Sequence, residues 1–226
     1  MRRMFAIMNR YASKNNNRGK EISTMTHYKA FMLIFLCILC AGNIAFSAEP
    51  DIQRHFDEGN AYFNEGQYGK AIESYNRVVA LYPDFVQAYY NRGLAYYKAG
   101  RYDEAIADYS RVVSTTSGNA DIYNNRALAY LKKGEFENAI SDYTKVLALN
   151  SRYPDAYHNR GIAYANVGKF DEAIADYNRV IAINPKDPNI YLSRGVAFTK
   201  KAMEDFQRAC DMGSKFACEN LKQLSR

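Results

Sequence analysis

Apolar side chains recur at three- and four-residue spacing along most of the chain, in pairs of short segments separated by a glycine-containing turn. In the second such pair, one apolar face is followed by Gly100 and then by another apolar face. The positions of the first face are Tyr89, Gly93 and Tyr96, and those of the second are Ala105, Tyr109 and Val112. This spacing predicts two amphipathic helices, and Gly100 suits the left-handed residue that ends the first helix.

The helix pair is repeated with a period of 34 residues. Residues 91–112 read NRGLAYYKAGRYDEAIADYSRV, and residues 159–180 read NRGIAYANVGKFDEAIADYNRV. The small residue of the first helix recurs as Gly59, Gly93, Ala127, Gly161 and Gly195. The second helix repeats an alanine and then a tyrosine, as Ala71 and Tyr75, Ala105 and Tyr109, Ala139 and Tyr143, and Ala173 and Tyr177. A single hairpin cannot bury two apolar faces, so the copies are expected to stack in series.

This period and these markers resemble the tetratricopeptide repeat family. The resemblance covers about residues 52–212, with tyrosine in place of the family's usual tryptophan at Tyr89, Tyr123, Tyr157 and Tyr191. It implies an all-α fold for residues 48–226, a right-handed superhelix of about five helix hairpins and a capping helix. The expected units lie near residues 52–85, 86–119, 120–153, 154–187 and 188–212, with the cap at 214–226.

The resemblance also implies a concave groove that is lined by the first helices and binds an extended peptide or a partner helix. The inward positions mix apolar and amide side chains: Phe56, Asn60, Phe63, Tyr90, Leu94, Tyr97, Asn124, Leu128, Leu131, His158 and Ile162. Some family members hold chaperone C-termini with a clamp of Lys, Asn and Arg side chains. Only Asn60 matches that clamp here, so we expect a different protein or peptide partner.

Arginines precede the small residue of four first helices, at Arg92, Arg126, Arg160 and Arg194. Aspartates stand 16 residues beyond the first three, at Asp108, Asp142 and Asp176, and Asp205 fills the equivalent place in the fifth unit. The first unit lacks both partners. This joint presence and absence predicts partly buried ion pairs: Arg92 with Asp108, Arg126 with Asp142, and Arg160 with Asp176. The alternative is a ladder of arginines that binds an anionic ligand.

The fifth unit is shorter than the others by five residues, which include the turn glycine. An uninterrupted helical stripe crosses the deletion, formed by Tyr191, Gly195, Phe198, Ala202, Phe206 and Ala209. We therefore predict that the two helices fuse into one helix of about 20 residues; a strained tight turn is the alternative. Phe216, Leu221 and Leu224 are expected to form the inner face of the capping helix.

The cysteines of the repeat region are Cys210 and Cys218. They either form a disulfide in an oxidising compartment or serve as small packing residues. His55 and His158 have no Cys, Asp or second His at metal-ligand spacing, and no nucleophile–base pair or phosphate-binding loop occurs. We therefore expect no metal, no cofactor and no enzymatic activity.

The net charge of +6 resides in the N-terminal segment, because residues 1–48 carry seven Lys or Arg against one acidic residue. The remainder is neutral, which argues against nucleic acid as a partner. An apolar run from Phe31 to Ala41 has the length of a signal-peptide hydrophobic region. Cleavage is expected before Ala48, so that residues 1–47 form a basic extension and signal peptide.

An uncleaved membrane anchor is the alternative for this segment, and translation starts at either Met1 or Met25. The expected function is a non-enzymatic scaffold in the cell envelope, located in the periplasm if the signal is cleaved. The alternative is a membrane-anchored structural subunit of an envelope complex, which contacts the membrane only through the uncleaved segment.

Overall fold

The computed structural model of the chain describes residues 51–116 and 118–225. This part is built from helices and short turns and contains no strand, and residues 54–226 form one compact unit. The predictions for residues 1–47 lie outside the described residues. None of the helices in the described ranges is both long enough and apolar enough to cross a membrane.

Four helix hairpins are followed by one long helix and a short final helix. The first two hairpins are α1 (51–64) with α2 (Tyr68–Leu81), and α3 (Val86–Lys98) with α4 (Tyr102–Thr115). The next two are α5 (Ala120–Lys133) with α6 (Phe136–Leu149), and α7 (Pro154–Asn166) with α8 (Phe170–Ile183). The last helices are α9 (Pro188–Asp211) and α10 (Lys215–Leu224). From α2 onward each helix packs on its neighbours in sequence, and α1 contacts α2 through Phe56 and Tyr75. The predicted all-α superhelix of tetratricopeptide type is confirmed.

The core is a column of side chains from the second helices. Each contributes an alanine, a tyrosine and a valine that are almost wholly buried: Ala71, Tyr75 and Val78; Ala105, Tyr109 and Val112; Ala139, Tyr143 and Val146; Ala173, Tyr177 and Val180. Their spacing places all three on one face of a helix. Because the same face recurs in each second helix, the core runs the length of the stack.

The small residue of each first helix allows the tyrosine ring to lie against the helix backbone. A Cβ atom added at Gly93 would lie 2.8 Å from the Tyr109 ring, and one added at Gly161 would lie 2.6 Å from the Tyr177 ring. Gly100 ends α3 with φ of 75°, in the left-handed region predicted for it.

The fifth unit has no turn. Helix α9 is continuous over 24 residues, so the fused helix is confirmed and the tight-turn alternative is wrong. Asp187 immediately precedes the helix and its side chain accepts a hydrogen bond from the Asn189 amide, and Pro188 follows in the first turn. Proline suits this position because its missing N–H would have no helical partner.

The predicted inner face of the final helix is wrong at Phe216, which is 73% exposed, and at Leu224, which is 44% exposed. Ala217 is the buried residue of α10, Leu221 is half-buried and Leu224 is exposed. The Cys210–Cys218 disulfide explains the difference. It turns the Ala217–Cys218 side of α10 toward α9, which places Phe216 on the solvent side.

Candidate partner-binding groove

The predicted groove positions form three rows along the stacked first helices, each row repeating every 34 residues. The first row is Phe56, Tyr90, Asn124 and His158; the second is Asn60, Leu94, Leu128 and Ile162; the third is Phe63, Tyr97 and Leu131. All eleven side chains are half-buried. Each therefore packs against the core on one side and remains accessible on the other.

The first row is held by the tyrosine column beneath it. The Phe56 ring lies 6.0 Å from Tyr75 and 5.1 Å from Phe85, and the Tyr90 ring lies 6.2 Å from Tyr109. The Tyr90 hydroxyl accepts a hydrogen bond of 3.0 Å from Asn125 in the next unit. These contacts fix the orientation of the exposed edge of each ring, which reduces the entropy lost when a partner binds.

The third row lies beside the turns, where an aromatic residue opens each second helix. Phe63 lies 5.5 Å from Tyr68, and Tyr97 lies 5.6 Å from Tyr102, between ring centroids. In the third unit Leu131 and Phe136 pack against the same core cluster. Aromatic side chains therefore concentrate in the first two units, and aliphatic ones follow.

Asn60 in the second row is already engaged within the protein. Its amide oxygen accepts hydrogen bonds of 2.8 Å from the Tyr75 hydroxyl and 2.8 Å from Asn91. The one residue that matches the carboxylate clamp thus joins the first two units.

Each predicted arginine–aspartate pair makes two parallel hydrogen bonds. Arg92 donates from Nε and Nη2 to Asp108 at 2.7 and 2.7 Å. The corresponding distances are 2.6 and 2.9 Å for Arg126 with Asp142, and 2.8 and 2.8 Å for Arg160 with Asp176. Burial by itself lowers the pKa of Arg92, but the Asp108 carboxylate outweighs it, and the pKa lies above its usual value. The pair is therefore an ionised, bidentate contact.

The same arginines also contact the preceding unit, which the sequence did not predict. The third guanidinium nitrogen, Nη1, donates to a residue 16 positions earlier: Asn76 at 2.7 Å, Ser110 at 3.0 Å, Thr144 at 3.1 Å and Asn178 at 2.6 Å for Arg92, Arg126, Arg160 and Arg194. Each of the three paired guanidinium groups also lies within 6 Å of two tyrosine rings of its own helix. The aspartate, the preceding unit and two tyrosine rings thus contact each of the three paired guanidinium groups. The arginine ladder therefore connects neighbouring units of the stack.

Three profiles for the tetratricopeptide repeat match the chain, over residues 56–120, 129–168 and 154–187. The chain belongs to the tetratricopeptide repeat family. Its repeats form a scaffold for protein–protein interaction, which is the general role of this family. No curated protein sequence matches the chain.

Solved structures of similar fold include other tetratricopeptide repeat proteins. A crystal structure of MamA protein is 26% identical, covers 77% of this chain and 90% of its own, and has a TM-score of 0.65. A tetratricopeptide repeat protein from Parabacteroides merdae ATCC 43184 is 21% identical over 77% of this chain and 72% of its own, with a TM-score of 0.63, and shows the shared fold. The first repeat domain of Spaghetti (RPAP3), bound to the HSP90 peptide SRMEEVD, is 32% identical over 52% of this chain and 93% of its own, with a TM-score of 0.50.

His158 is a packing residue of the first row of the groove. Its ring lies 6.0 Å from Tyr177, and its Nε2 lies 3.5 Å from the Ser193 hydroxyl. Burial lowers the pKa of His158, which favours the neutral ring. Within the described ranges, no group of three His, Cys, Asp or Glu side chains is placed to hold a metal ion.

The fifth repeat departs from the ion-pair pattern. Arg194 contacts Asn178 of the preceding unit but not Asp205, which is 65% exposed and lies 3.8 Å from Arg208. The predicted place of Asp205 beside Arg194 is therefore wrong. The cause is the fused helix, which sets the two residues 11 positions apart on one axis.

Cys210 at the end of α9 and Cys218 in α10 are joined by a disulfide. The bond ties the final helix to the last repeat.

A cavity of about 220 Å³ lies outside the three rows, between the first interunit turn and α4. Tyr89, Val112 and Thr115 contribute to its lining, and the Arg111 guanidinium lies 5.1 Å from the Tyr89 ring. Arg111 also donates to the Pro83 carbonyl at 3.2 Å. These contacts occupy the polar side of the cavity, so the groove is the better candidate for partner binding.

Proposed function

We propose that this protein is an exported, non-enzymatic scaffold that binds an extended peptide or a partner helix along its groove. The observation that carries the proposal is the set of three rows of half-buried side chains, which repeat at the period of the fold. A partner with apolar side chains at regular spacing can contact the same row in successive units.

The chemistry of the rows favours a partner whose aromatic or aliphatic anchors meet the first two units. Phe56, Tyr90 and Tyr97 are half-buried aromatic residues there, and buried aromatic anchors contribute strongly to protein interfaces. The first repeat domain of Spaghetti (RPAP3) is bound to an HSP90 peptide, which supports peptide binding by this fold. An acidic peptide terminus is not the expected ligand here, because Asn60 is engaged and Phe56, Tyr90 and Leu94 occupy the other clamp positions.

The test is capture of partners from a cell-envelope extract, followed by a comparison of variants. Tyr90→Ala combined with Tyr97→Ala removes two ring edges from the groove and is expected to abolish capture of the groove partner. Leu81→Ala is the matched control, because Leu81 is 52% exposed but lies on a second helix. Partners that bind the double variant and the unmodified protein equally would refute the groove.

Export is a separate part of the proposal and has its own test. Its support is the basic segment followed by the apolar run Phe31–Ala41. We expect the mature chain in the periplasmic fraction, shortened at its N-terminus. A full-length chain that stays with the membrane after an alkaline wash would instead favour the anchored structural subunit, and a full-length cytosolic chain would refute both.

A further inference from the structure

The first half of α9 lacks the helix that covers the same face in the other repeats. A Cβ atom at Gly195 would meet nothing within 4 Å, whereas one at Gly93 would meet the Tyr109 ring. Tyr191 and Phe198, on the same face, are exposed by 42% and 51%. We call the face formed by Tyr191, Gly195 and Phe198 the open face of α9.

The missing helix is present in the chain as the second half of α9. Ala202, Phe206 and Ala209 occupy the positions that an alanine, a tyrosine and a valine hold in the core column of the complete units. Each of the three is half-buried. They cannot reach the open face of their own chain, because Gly195 and Phe206 are separated by about 16 Å along one straight helix at 1.5 Å per residue.

If two copies of α9 pack antiparallel, the open face of each copy is covered by the second half of α9 from the other. When the copies cross near Lys200, Phe206 of each one lies opposite Gly195 of the other, as Tyr109 lies opposite Gly93 within a complete unit. The open face and the residues Ala202, Phe206 and Ala209 form one stripe at helical spacing. One twofold axis therefore completes the fifth unit of both copies. Neither copy keeps an open face for a third chain, so the assembly stops at a dimer.

The charges on the flank of this stripe are complementary in the same arrangement. Arg194 and Asp205 are 11 residues apart, which places them within about 20° of each other around the helix at 3.6 residues per turn. Across the twofold axis, Arg194 of one copy meets Asp205 of the other, as Arg92 meets Asp108 within a complete unit.

Both charged groups are available for this contact. Arg194 donates a hydrogen bond from Nη1 to Asn178. Within the described ranges no carboxylate is paired with its Nε and Nη2, whereas Arg92, Arg126 and Arg160 are each paired with an aspartate. Asp205 is 65% exposed, and within the described ranges its ion pair is a 3.8 Å contact with Arg208. Lys201 lies on the same flank as Arg194 and Asp205 by helical spacing, and its charge is paired with Asp171 of its own chain.

We propose that the open face of α9 binds a second copy of this chain. The two fused helices pair antiparallel about a twofold axis near Lys200, and each supplies the second helix that the other repeat lacks. The five-residue deletion thus converts the last repeat into a dimerisation element. The contact leaves the rows of the first two units free.

The test uses charge reversal at the two positions and the purified full-length chain. Arg194→Asp and Asp205→Arg each set like charges against each other at both symmetry-related contacts, and each is expected to weaken dimerisation by about tenfold or more. Glu73→Arg is the matched control, since it makes the same charge change as Asp205→Arg on an exposed site in α2. Sedimentation velocity over a concentration series reports the mass, and circular dichroism verifies that each variant keeps its helices.

Mixing the two single variants provides the decisive measurement. Their charges are complementary across the proposed axis, so the mixture is expected to form a heterodimer at concentrations where each variant alone is mostly monomeric. The double variant Arg194→Asp with Asp205→Arg is expected to form a homodimer again. A monomeric unmodified chain, a dimer that both single variants retain, or folded single variants that fail to associate when mixed would each overturn the proposal.

Discussion

Arg126 donates to both carboxylate oxygens of Asp142, from Nε at 2.6 Å and from Nη2 at 2.9 Å, while its Nη1 reaches Ser110 in the preceding repeat at 3.0 Å. The Asp142 side chain is 3% exposed and that of Arg126 is 13% exposed. One guanidinium group thus joins three helices and two repeats. The repeated arginine is a joint of the stack, and its charge depends on the aspartate for compensation.

Removal of Asp142 alone is expected to destabilise the fold more than removal of both partners. Asp142→Ala leaves the Arg126 charge partly buried without a carboxylate, which costs about 3–5 kcal/mol. The double variant Asp142→Ala with Arg126→Ala removes the uncompensated charge and should recover part of this loss. Urea denaturation measures the free energies of unfolding.

Glu137→Ala is the control for this comparison, because Glu137 is an exposed carboxylate in the first turn of the same helix. Its effect is expected to stay below about 1 kcal/mol. Equal free energies for the single and double Asp142 variants would show that the uncompensated Arg126 charge has no cost, which argues against the role of the pairing in stability.

The period of 34 was sufficient to predict the hairpins, the fused helix α9 and the absence of strands, because the same small and aromatic residues recur in register. Contacts between repeats were harder to predict. Ser110 and Thr144 are too variable in type to be recognised as acceptors, although each precedes its arginine by 16 residues, as Asn76 does. The regular spacing was the available signal.

The predicted orientation of α10 was wrong because hydrophobicity alone does not set the rotation of a short helix. Phe216 is the largest apolar residue of that helix, yet the disulfide at Cys218 turns the opposite side toward α9. The groove rows were predicted from the family's geometry rather than from the residues themselves. Their role in binding stays a prediction.

Gly161→Ala is expected to destabilise the protein, whereas Gly69→Ala is expected to stabilise it. The new Cβ at Gly161 would lie 2.6 Å from the Tyr177 ring, while at Gly69 nothing lies within 4 Å. Overpacking costs about 1–3 kcal/mol, and replacing an unhindered helical glycine gains about 0.5–1 kcal/mol. Ala127 at the equivalent position shows that the ring can shift, so a gain in the Gly161 variant would mean that this shift has no cost.

Tyr109→Phe is expected to leave stability unchanged within about 0.5 kcal/mol or to increase it, whereas Tyr75→Phe is expected to cost about 1 kcal/mol. The two rings hold equivalent core positions. The Tyr75 hydroxyl donates to Asn60 at 2.8 Å, but the Tyr109 hydroxyl is buried without a hydrogen-bond partner in the described part of the protein. Thermal and urea denaturation of both variants measure the difference, and a larger loss for Tyr109→Phe would indicate that its hydroxyl is satisfied.

The tyrosine column predicts a loss of stability at alkaline pH. Burial raises the pKa of Tyr75 and of Tyr177 from 10.0 to about 12, and it raises the pKa of Tyr109 as well. Above pH 10 the unfolded chain releases these protons while the folded protein retains them, so stability is complete below pH 10 and is lost as the pH rises toward 12. The free energy of unfolding should fall by up to about 1.4 kcal/mol per pH unit for each such tyrosine.

The Tyr109→Phe variant tests whether the column is the cause. The unfolded variant has one tyrosine fewer to lose its proton, so its free energy of unfolding should depend less on pH. Between pH 10 and 12 its slope should be smaller than that of the unmodified chain by about 1.4 kcal/mol per pH unit. Urea denaturation at several pH values gives both slopes, and absorbance of tyrosinate reports ionisation in the same samples. Parallel slopes for the variant and the unmodified chain would mean that Tyr109 ionises in the folded protein, and its burial would then not account for the alkaline transition.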